Sequence, residues 1–243
     1  MLPERLRRRH YLGSWDDVQG LVYDEFVEAR HVVKPFEIPD TWEKGFILDH
    51  GFTNPTAVLW YAIDYDGNII LYDEHYMKEK PVSFHAGEIL KRGIAQGWCD
   101  PSIFAKTQSR GNYIYSIADE YKDFKVSLWP ADRSDEAASI ARVNEFFKAD
   151  KIKVFSTLPN FIDEVSNWKY KTRANVRLAV NAPEEPEDLN NHLMDDLKYL
   201  IASRFKKSSK PEPLPVERSL DWYDKQKEYE IELKERRHGR KVW

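Results

Sequence analysis

Residues 45–77 carry the pattern that most constrains the fold. A short apolar run at residues 45–49 ends in Asp49, and two runs rich in aromatic and β-branched residues follow at 55–65 and 68–77. Short apolar runs of this kind are typical of buried strands. The Asp66-Gly67 pair between the last two runs suits the positive φ angles of a tight hairpin turn. The sequence therefore predicts three antiparallel strands, the first of which ends at Asp49.

Beyond residue 80 the apolar pattern alternates between helical spacing and short strand-like runs. Helices are predicted at residues 82–96, 113–121, 135–148, 160–167 and 191–201, and strands at 97–102, 125–129 and 152–155. Residues 168–180 are predicted to form an added β-hairpin. This order predicts an α/β fold with a mixed central sheet flanked by helices.

The two ends of the chain differ from this middle part. Residues 1–40 contain few periodic apolar positions and are interpreted as a linker that wraps onto the core. Residues 208–243 are rich in polar and charged residues and are interpreted as a mobile tail or a docking element. One folded domain is therefore expected over residues 41–207, as the length of 243 residues favours.

Composition excludes several classes of protein. The longest apolar run, residues 57–63, is too short to span a bilayer, and no signal peptide is visible, so we expect a cytoplasmic protein with no membrane partner. Cys99 is the single cysteine, which rules out an internal disulfide and a thiolate cluster. Any metal must then be bound by carboxylates and histidines. A net charge of −4 means that DNA binding would depend on local basic patches or on bound cations.

Acidic residues and one histidine stand where a metal site can form. Asp49 and Asp100 each end a predicted strand, and His192 and Asp195 are three residues apart on a predicted helix, so both side chains share one face. Oxygen and imidazole ligands suit Mg²⁺ or Mn²⁺. Two such ions, about 3.5–4 Å apart, are able to drive an in-line phosphodiester displacement.

Each of these residues also has a purely structural interpretation. Asp49 and Asp100 precede sequences that favour turns, and Asp100-Pro101-Ser102 also suits the start of a helix. Asp195 and the neighbouring Asp196 can favour the helix dipole, and His192 can bond to the backbone. Only the occurrence of all these residues in one order favours the metal site.

That order resembles the region in which the large subunits of phage terminases pass from motor to nuclease. The resemblance covers roughly residues 12–205. Its motifs, in chain order, are Gly20-x-Val22-Tyr23-x-Glu25-Phe26, His31-Val32-Val33-x-Pro35-Phe36-x-Ile38-Pro39, Asp49-x-Gly51-x-x-Asn54-Pro55, Gly67, Glu74-x-Tyr76, Asp100-Pro101-Ser102, Asp132-Arg133 and Asn191-His192-x-x-Asp195-x-x-Lys198-Tyr199.

The resemblance implies a ribonuclease H-like endonuclease that cuts concatemeric viral DNA when packaging begins and ends. It implies Asp49, Asp100 and Asp195 as ligands of two Mg²⁺ or Mn²⁺ ions, with His192 as a ligand or proton shuttle. This chain departs from the family at Asp196, where a small residue is usual, and at Lys198, where arginine is usual. Asp196 is four residues from His192 and can also reach the site, so the choice between the two adjacent aspartates stays open.

The resemblance also implies partners. These are double-stranded DNA, a portal protein, a small terminase subunit and an ATPase motor. The chain would contact them at the procapsid portal inside an infected bacterium. No glycine in this chain is followed by lysine, so the phosphate-binding loop of that motor is absent. We therefore expect the motor on another part of a longer chain or on a separate chain, as in an excised domain or a split gene.

Basic residues that can contact DNA are sparse. Arg133 follows a predicted strand, and the predicted hairpin carries Lys169, Lys171, Arg173 and Arg177. These residues can equally form ordinary ion pairs or a solvated ribbon. Two other functions stay open: a Holliday-junction resolvase or transposase-like nuclease of the same fold, and a non-catalytic scaffold that docks on the portal.

Overall fold

A computed structural model describes residues 20–106, 108–110, 113–133, 135–171 and 185–205. In chain order its elements are α1 (Glu28–His31), β1 (Val32–Val33), β2 (Glu43–Asp49), β3 (Thr56–Ile63), β4 (Ile69–Met77), α2 (Val82–Lys91), β5 (Gln96–Cys99), a 3₁₀ turn (Pro101–Phe104), β6 (Gln108–Arg110), β7 (Tyr113–Tyr115), α3 (Ile117–Asp123), β8 (Ser127–Pro130), α4 (Glu136–Lys148), β9 (Ile152–Phe155), α5 (Pro159–Asn167) and α6 (His192–Arg204).

Seven of the described strands form one mixed sheet in the order β1-β9-β4-β3-β2-β5-β8. β3 is antiparallel to both β2 and β4, and the remaining pairs are parallel. The predicted three antiparallel strands and the mixed α/β class are confirmed. Because β2, β4, β5, β8 and β9 all run in one direction, their last residues lie at one side of the sheet, which we call the carboxyl edge.

The connection between β3 and β4 differs from the predicted two-residue turn. Asp64 Oδ1 accepts hydrogen bonds from the backbone N–H groups of Asp66 (2.9 Å) and Asn68 (2.8 Å), so the carboxylate organises a longer loop. Gly67 has a positive φ of 75° and Asp66 does not. The expectation of positive φ at both residues was wrong because an aspartate side chain replaces part of the backbone turn.

The two faces of the sheet pack against different helices. Along β2, Phe46 and Leu48 join one buried cluster, while Ile47 joins the other, which includes residues of α4, α5 and α6. Alternate residues of a strand share a face, so Asp49 lies on the Ile47 side. The predicted burial of Leu193, Leu197, Leu200 and Ile201 on α6 is confirmed. Burial of each such side chain contributes about 1.5–3 kcal/mol.

Two of the predicted helices have different bounds. α2 ends at Lys91 instead of residue 96, and Gly93 with a φ of 76° turns the chain immediately afterwards. Residues 113–115, predicted to begin a helix, form strand β7, which pairs with β6. The helix starts later because Ser116 and Asp119 form a capping box at its N-terminus.

The described part of the predicted linker packs on the core. Val22, Tyr23 and Phe26 are buried, and β1 extends the sheet by pairing with β9. The predicted hairpin at residues 168–180 is described only as far as Lys171, and there Tyr170 pairs with Pro186. Residues 172–184 and the predicted tail lie outside the described residues. None of the described helices is long and apolar enough to cross a membrane.

Candidate active site

The site starts from two neighbouring parallel strands. Leu48 and Cys99 are register partners in β2 and β5, and the Asp100 N–H donates to the Leu48 carbonyl oxygen at 3.2 Å. Adjacent strands are about 4.8 Å apart, so Asp49 and Asp100 leave the sheet side by side at the carboxyl edge. The predicted adjacency of these two strand ends is confirmed. Their role as metal ligands stays a prediction.

His192, the first residue of α6, contacts Asp49 directly. Its Nδ1 lies 2.8 Å from Asp49 Oδ2. The hydrogen bond to Asp49 raises the pKa of His192 above its ordinary value, and burial opposes this effect only in part. The part-buried pair therefore shares a proton between an imidazole and a carboxylate.

Asp100 has two protein partners. Its Oδ1 accepts a hydrogen bond from the Ser102 N–H at 2.6 Å and caps the 3₁₀ turn, so the structural interpretation of Asp-Pro-Ser also applies. Its Oδ2 accepts a hydrogen bond from the Tyr199 hydroxyl. Burial favours a higher pKa for Asp100, but the bonds from Ser102 and Tyr199 outweigh it and hold the pKa below its usual value.

Asp195 forms an ion pair within α6. Lys198 Nζ lies 2.6 Å from Asp195 Oδ1 and 2.7 Å from Glu136 Oε1. The lysine side chain is 8% exposed, and its ammonium stands 5.1 Å from the centre of the Trp168 ring. Burial raises the pKa of Asp195, and Lys198 opposes that rise. The carboxylate is thus already neutralised by a protein cation.

Asp196, unlike Asp195, has no protein cation beside it among the described residues. It is 0% exposed, and neither carboxylate oxygen has a hydrogen-bond partner. Burial, followed by the charges of Asp49 and Asp195, raises the pKa of Asp196 well above its usual value. An isolated buried carboxylate is costly, so this group requires a proton or a cation.

Glu164, on α5, extends the acidic region. The Tyr76 hydroxyl donates to Glu164 Oε1 at 2.6 Å, and the Leu193 N–H donates to Oε2 at 2.8 Å. Burial raises the pKa of Glu164 in spite of these bonds. Sequence reasoning missed Glu164, since nothing in the local pattern distinguished it. Tyr199 was noted only as the last residue of the α6 motif and was given no role, although it is three and four residues from Asp196 and Asp195 on one helix.

Of the four aspartates described above, only Asp195 lines a cleft of about 250 Å³. Its lining includes Arg133, Glu136, Asp195, Lys198 and Tyr199. The exposed Arg133 is close enough to Asp100 for its charge to contribute, after the effects of burial and of the hydrogen bonds, to the low pKa of that aspartate.

The other predicted DNA contacts are less well placed. Lys171 pairs with Glu185 at 3.4 Å and with Asp188 at 3.2 Å, so nearby acids already neutralise it. Lys169 is exposed and its backbone pairs with Leu21. Arg173 and Arg177 lie outside the described residues.

The donor set fits a hard divalent cation. Within the described ranges, no group of three or more histidine, cysteine or acidic side chains is arranged to hold a metal ion, so the fit is one of donor chemistry. Asp49, Asp100 and Asp195 instead hold protein partners, whereas the orphaned oxygens of Asp196 lack one. Oxygen-rich surroundings of this kind suit Mg²⁺ or Mn²⁺.

Comparisons with known proteins agree with the fold. The chain is 26% identical over 207 residues to the large terminase subunit of Escherichia phage T5, covering 81% of this chain and 44% of that protein, less than half its length. The nuclease domain of the P22 large terminase superposes with a TM-score of 0.64 at 16% identity, covering 78% of this chain and 94% of that one. No family model matches the sequence.

A third protein of similar structure was crystallised with a metal ion. The large terminase nuclease of the thermophilic phage G20c with bound magnesium superposes with a TM-score of 0.50 at 13% identity, covering 74% of this chain and 96% of that one. The predicted ribonuclease H-like architecture is thereby confirmed.

Proposed function

We propose that the chain is a divalent-metal-dependent DNA endonuclease, because it is 26% identical to one terminase large subunit and has the fold of a terminase nuclease domain. One observation carries the proposal. Asp196 holds a fully buried carboxylate with no hydrogen-bond partner, next to the charges of Asp49, Asp195 and Asp100. Repulsion among these carboxylates destabilises the cluster by itself, and bound cations offset that repulsion.

Asp49, Asp100 and Asp196 are the proposed ligands of Mg²⁺ or Mn²⁺. Asp195 is a weaker candidate because Lys198 already neutralises it at 2.6 Å. The three aspartates without a lysine partner supply the negative charge for one ion, and a second ion would need Asp195 released from Lys198. The magnesium bound to the G20c nuclease supports this choice of metal. A bound divalent cation would supply positive charge to neutralise the developing charge of a phosphodiester under attack.

The remaining side chains prepare the site for that chemistry. His192, held by Asp49 at 2.8 Å, is able to accept and release a proton. Tyr199 and the Ser102 N–H fix the orientation of the Asp100 carboxylate. Lys198 keeps Asp195 in place, and Arg133 offers an exposed cation for a phosphate oxygen at the cleft.

The proposed substrate is concatemeric double-stranded DNA, cut when genome packaging starts and ends. Since the chain spans 44% of the T5 protein, the ATPase motor is proposed to reside in additional sequence or on a separate chain. A portal protein and a small terminase subunit are the further proposed partners. In the cell the protein would act in the cytoplasm of an infected bacterium.

Incubation with supercoiled plasmid tests this function. The parent should linearise plasmid with Mn²⁺ and not with chelator, and Asp49→Asn should abolish cutting. Asp66→Asn is the matched control, because Asp66 is an exposed aspartate in the β3–β4 loop, away from the carboxyl edge. Cutting by Asp49→Asn at the parent rate would disprove the assignment.

Two further outcomes would point to other functions. Faster cutting of four-way junctions than of linear duplex would favour a junction resolvase. Failure to bind Mn²⁺ in calorimetry would favour a non-catalytic scaffold.

A further inference from the structure

A second group of side chains stands at the carboxyl edge, on the side of β4. It consists of Phe52, Lys78, Lys80 and Phe84, which we call the β4 rim. Phe52 and Phe84 are 61% and 37% exposed, although both are large apolar side chains. Lys78 is exposed, and Lys80 Nζ stands 5.7 Å from the centre of the Phe84 ring. Aromatic and cationic groups thus share one surface.

The rim is linked to the end of β2, which carries Asp49, through neighbouring residues. Phe52 follows Asp49 by three residues, and its carbonyl oxygen accepts a hydrogen bond from the Glu79 N–H at 2.9 Å. His50, next to Asp49, has its ring 6.1 Å from that of His85, the neighbour of Phe84. The loop after β2 and the segment after β4 are therefore joined at the carboxyl edge, next to the end of β2, although α2 packs on the face of the sheet opposite the Asp49 side chain.

The lysines of the rim differ from other lysines near the site. No carboxylate in the described part of the chain forms an ion pair with Lys78 or Lys80. Lys171 and Lys198, by contrast, are held by acids. With Glu79 between the two lysines, residues 78–80 carry a net charge of +1. Beside a cluster of aspartates, such lysines can offset the repulsion that a phosphate backbone meets.

The strand order places the rim opposite Arg133. β2, which carries Asp49, lies midway between β4 and β8 in the segment β4-β3-β2-β5-β8. The four interstrand steps from β4 to β8 span about 19 Å. At about 3.4 Å per nucleotide along one strand, this distance corresponds to roughly five or six nucleotides. DNA that contacts both ends would have the aspartates near the middle of its footprint.

We propose that the β4 rim binds the DNA backbone on one side of the cut site, opposite Arg133. Lys78 and Lys80 contact phosphates, and Phe52 packs against a sugar or the edge of a base. Phe84 supports Lys80 through its ring. This inference rests on the proposed function, since it names the surface that presents substrate to that same site.

Anisotropy of a fluorescein-labelled DNA duplex, measured in chelator so that no cutting occurs, tests the proposal. The double variant Lys78→Gln/Lys80→Gln should bind on the order of tenfold more weakly or worse, and its salt dependence should fall by about 0.9 for each lost phosphate contact. Phe52→Ala should weaken binding several-fold, about as much as one apolar contact, with no change in salt dependence.

Matched variants at the opposite edge of the sheet provide the control. Lys125→Gln/Lys151→Gln removes the same charge just before β8 and β9, and Phe124→Ala removes an aromatic ring that is 40% exposed. Both should bind DNA like the parent. Equal affinity and salt dependence for the parent and the Lys78/Lys80 variant would overturn the inference, as would absence of DNA binding by the parent at low salt. Metal-dependent plasmid cutting by the parent would still stand after either result, so the two proposals fail separately.

Discussion

Acidification from about pH 7 to about pH 5 should destabilise the protein through a buried histidine pair between β4 and α2. His75 Nε2 lies 2.8 Å from His85 Nδ1, and His85 Nε2 lies 3.2 Å from the Lys80 carbonyl oxygen. Because a carbonyl only accepts, His85 carries its proton on Nε2 and accepts the proton of His75 at Nδ1. A second proton on His85 would set two donors against each other.

The size of the effect follows from the pKa of His75. Burial, and then the neighbouring His85, lower this pKa from 6.5 to about 4. Below pH 6.5 the unfolded chain binds the proton more readily than the folded protein, so stability is lost as the pH falls from 6.5 towards 4. Between about pH 7 and pH 5, His75 alone should cost about 2 kcal/mol of unfolding free energy.

Urea unfolding in chelator at the two pH values measures this loss. His75→Gln retains an N–H donor for His85 and cannot titrate, so its loss on acidification should be smaller than that of the parent by about 2 kcal/mol. His192→Gln should increase the loss of stability on acidification. The folded-state pKa of His192 is raised, so the contribution of this histidine to stability is present at low pH and is lost as the pH rises. An identical acid loss in the parent and His75→Gln would refute the reasoning.

Three further predictions concern the candidate site and α6. In calorimetry, Mn²⁺ at about 100 times its Kd should raise parent stability by about 2.7 kcal/mol. Asp196→Asn should remove most of this gain and Asp195→Asn little of it, and the reverse order would transfer the ligand role to Asp195. Tyr199→Phe should lower the free energy of unfolding in chelator by about 1 kcal/mol. It should also shift the acid limb of the pH–cleavage profile to higher pH, because Asp100 loses a hydrogen bond that lowers its pKa. An unchanged profile would argue against a positioning role for Tyr199. Leu197→Ala, at a fully buried position, should cost about 2–5 kcal/mol in urea unfolding, and a cost near zero would contradict the packing of α6 on the sheet.

The apolar patterns predicted the structure well where each pattern lies within a single strand or helix. The short apolar runs at β2, β3, β4 and β9 and the helical spacing of α4 are observed nearly as predicted. The adjacency of Asp49 and Asp100 also followed, since both end strands of the central sheet. The predictions were wrong where a side chain bonds to the backbone and sets the local structure, as Asp64 does in the β3–β4 loop and Ser116 does at the start of α3.

The choice between Asp195 and Asp196 was beyond sequence reasoning. Consecutive helix residues point about 100° apart, and the spacing from His192 allows either one to approach Asp49. The packing of α6 against β2 and β3 buries Asp196 and leaves Asp195 with Lys198. Glu164 was missed for a similar reason, because its partners Tyr76 and Leu193 belong to two other elements.

The sequence by itself determined the α/β order of elements, the acids at the strand ends and the lack of any thiolate cluster. These properties depend on residue type and on local periodicity. The tertiary structure alone decided which carboxylate is buried without a partner, which groups hold the other carboxylates and which lysines near the carboxyl edge lack an acidic partner. Desolvation and charge interactions depend on groups that distant segments bring together. For Asp196 those segments are β2, the turn after β5, α5 and α6, whose charges meet only after the sheet and its helices have assembled.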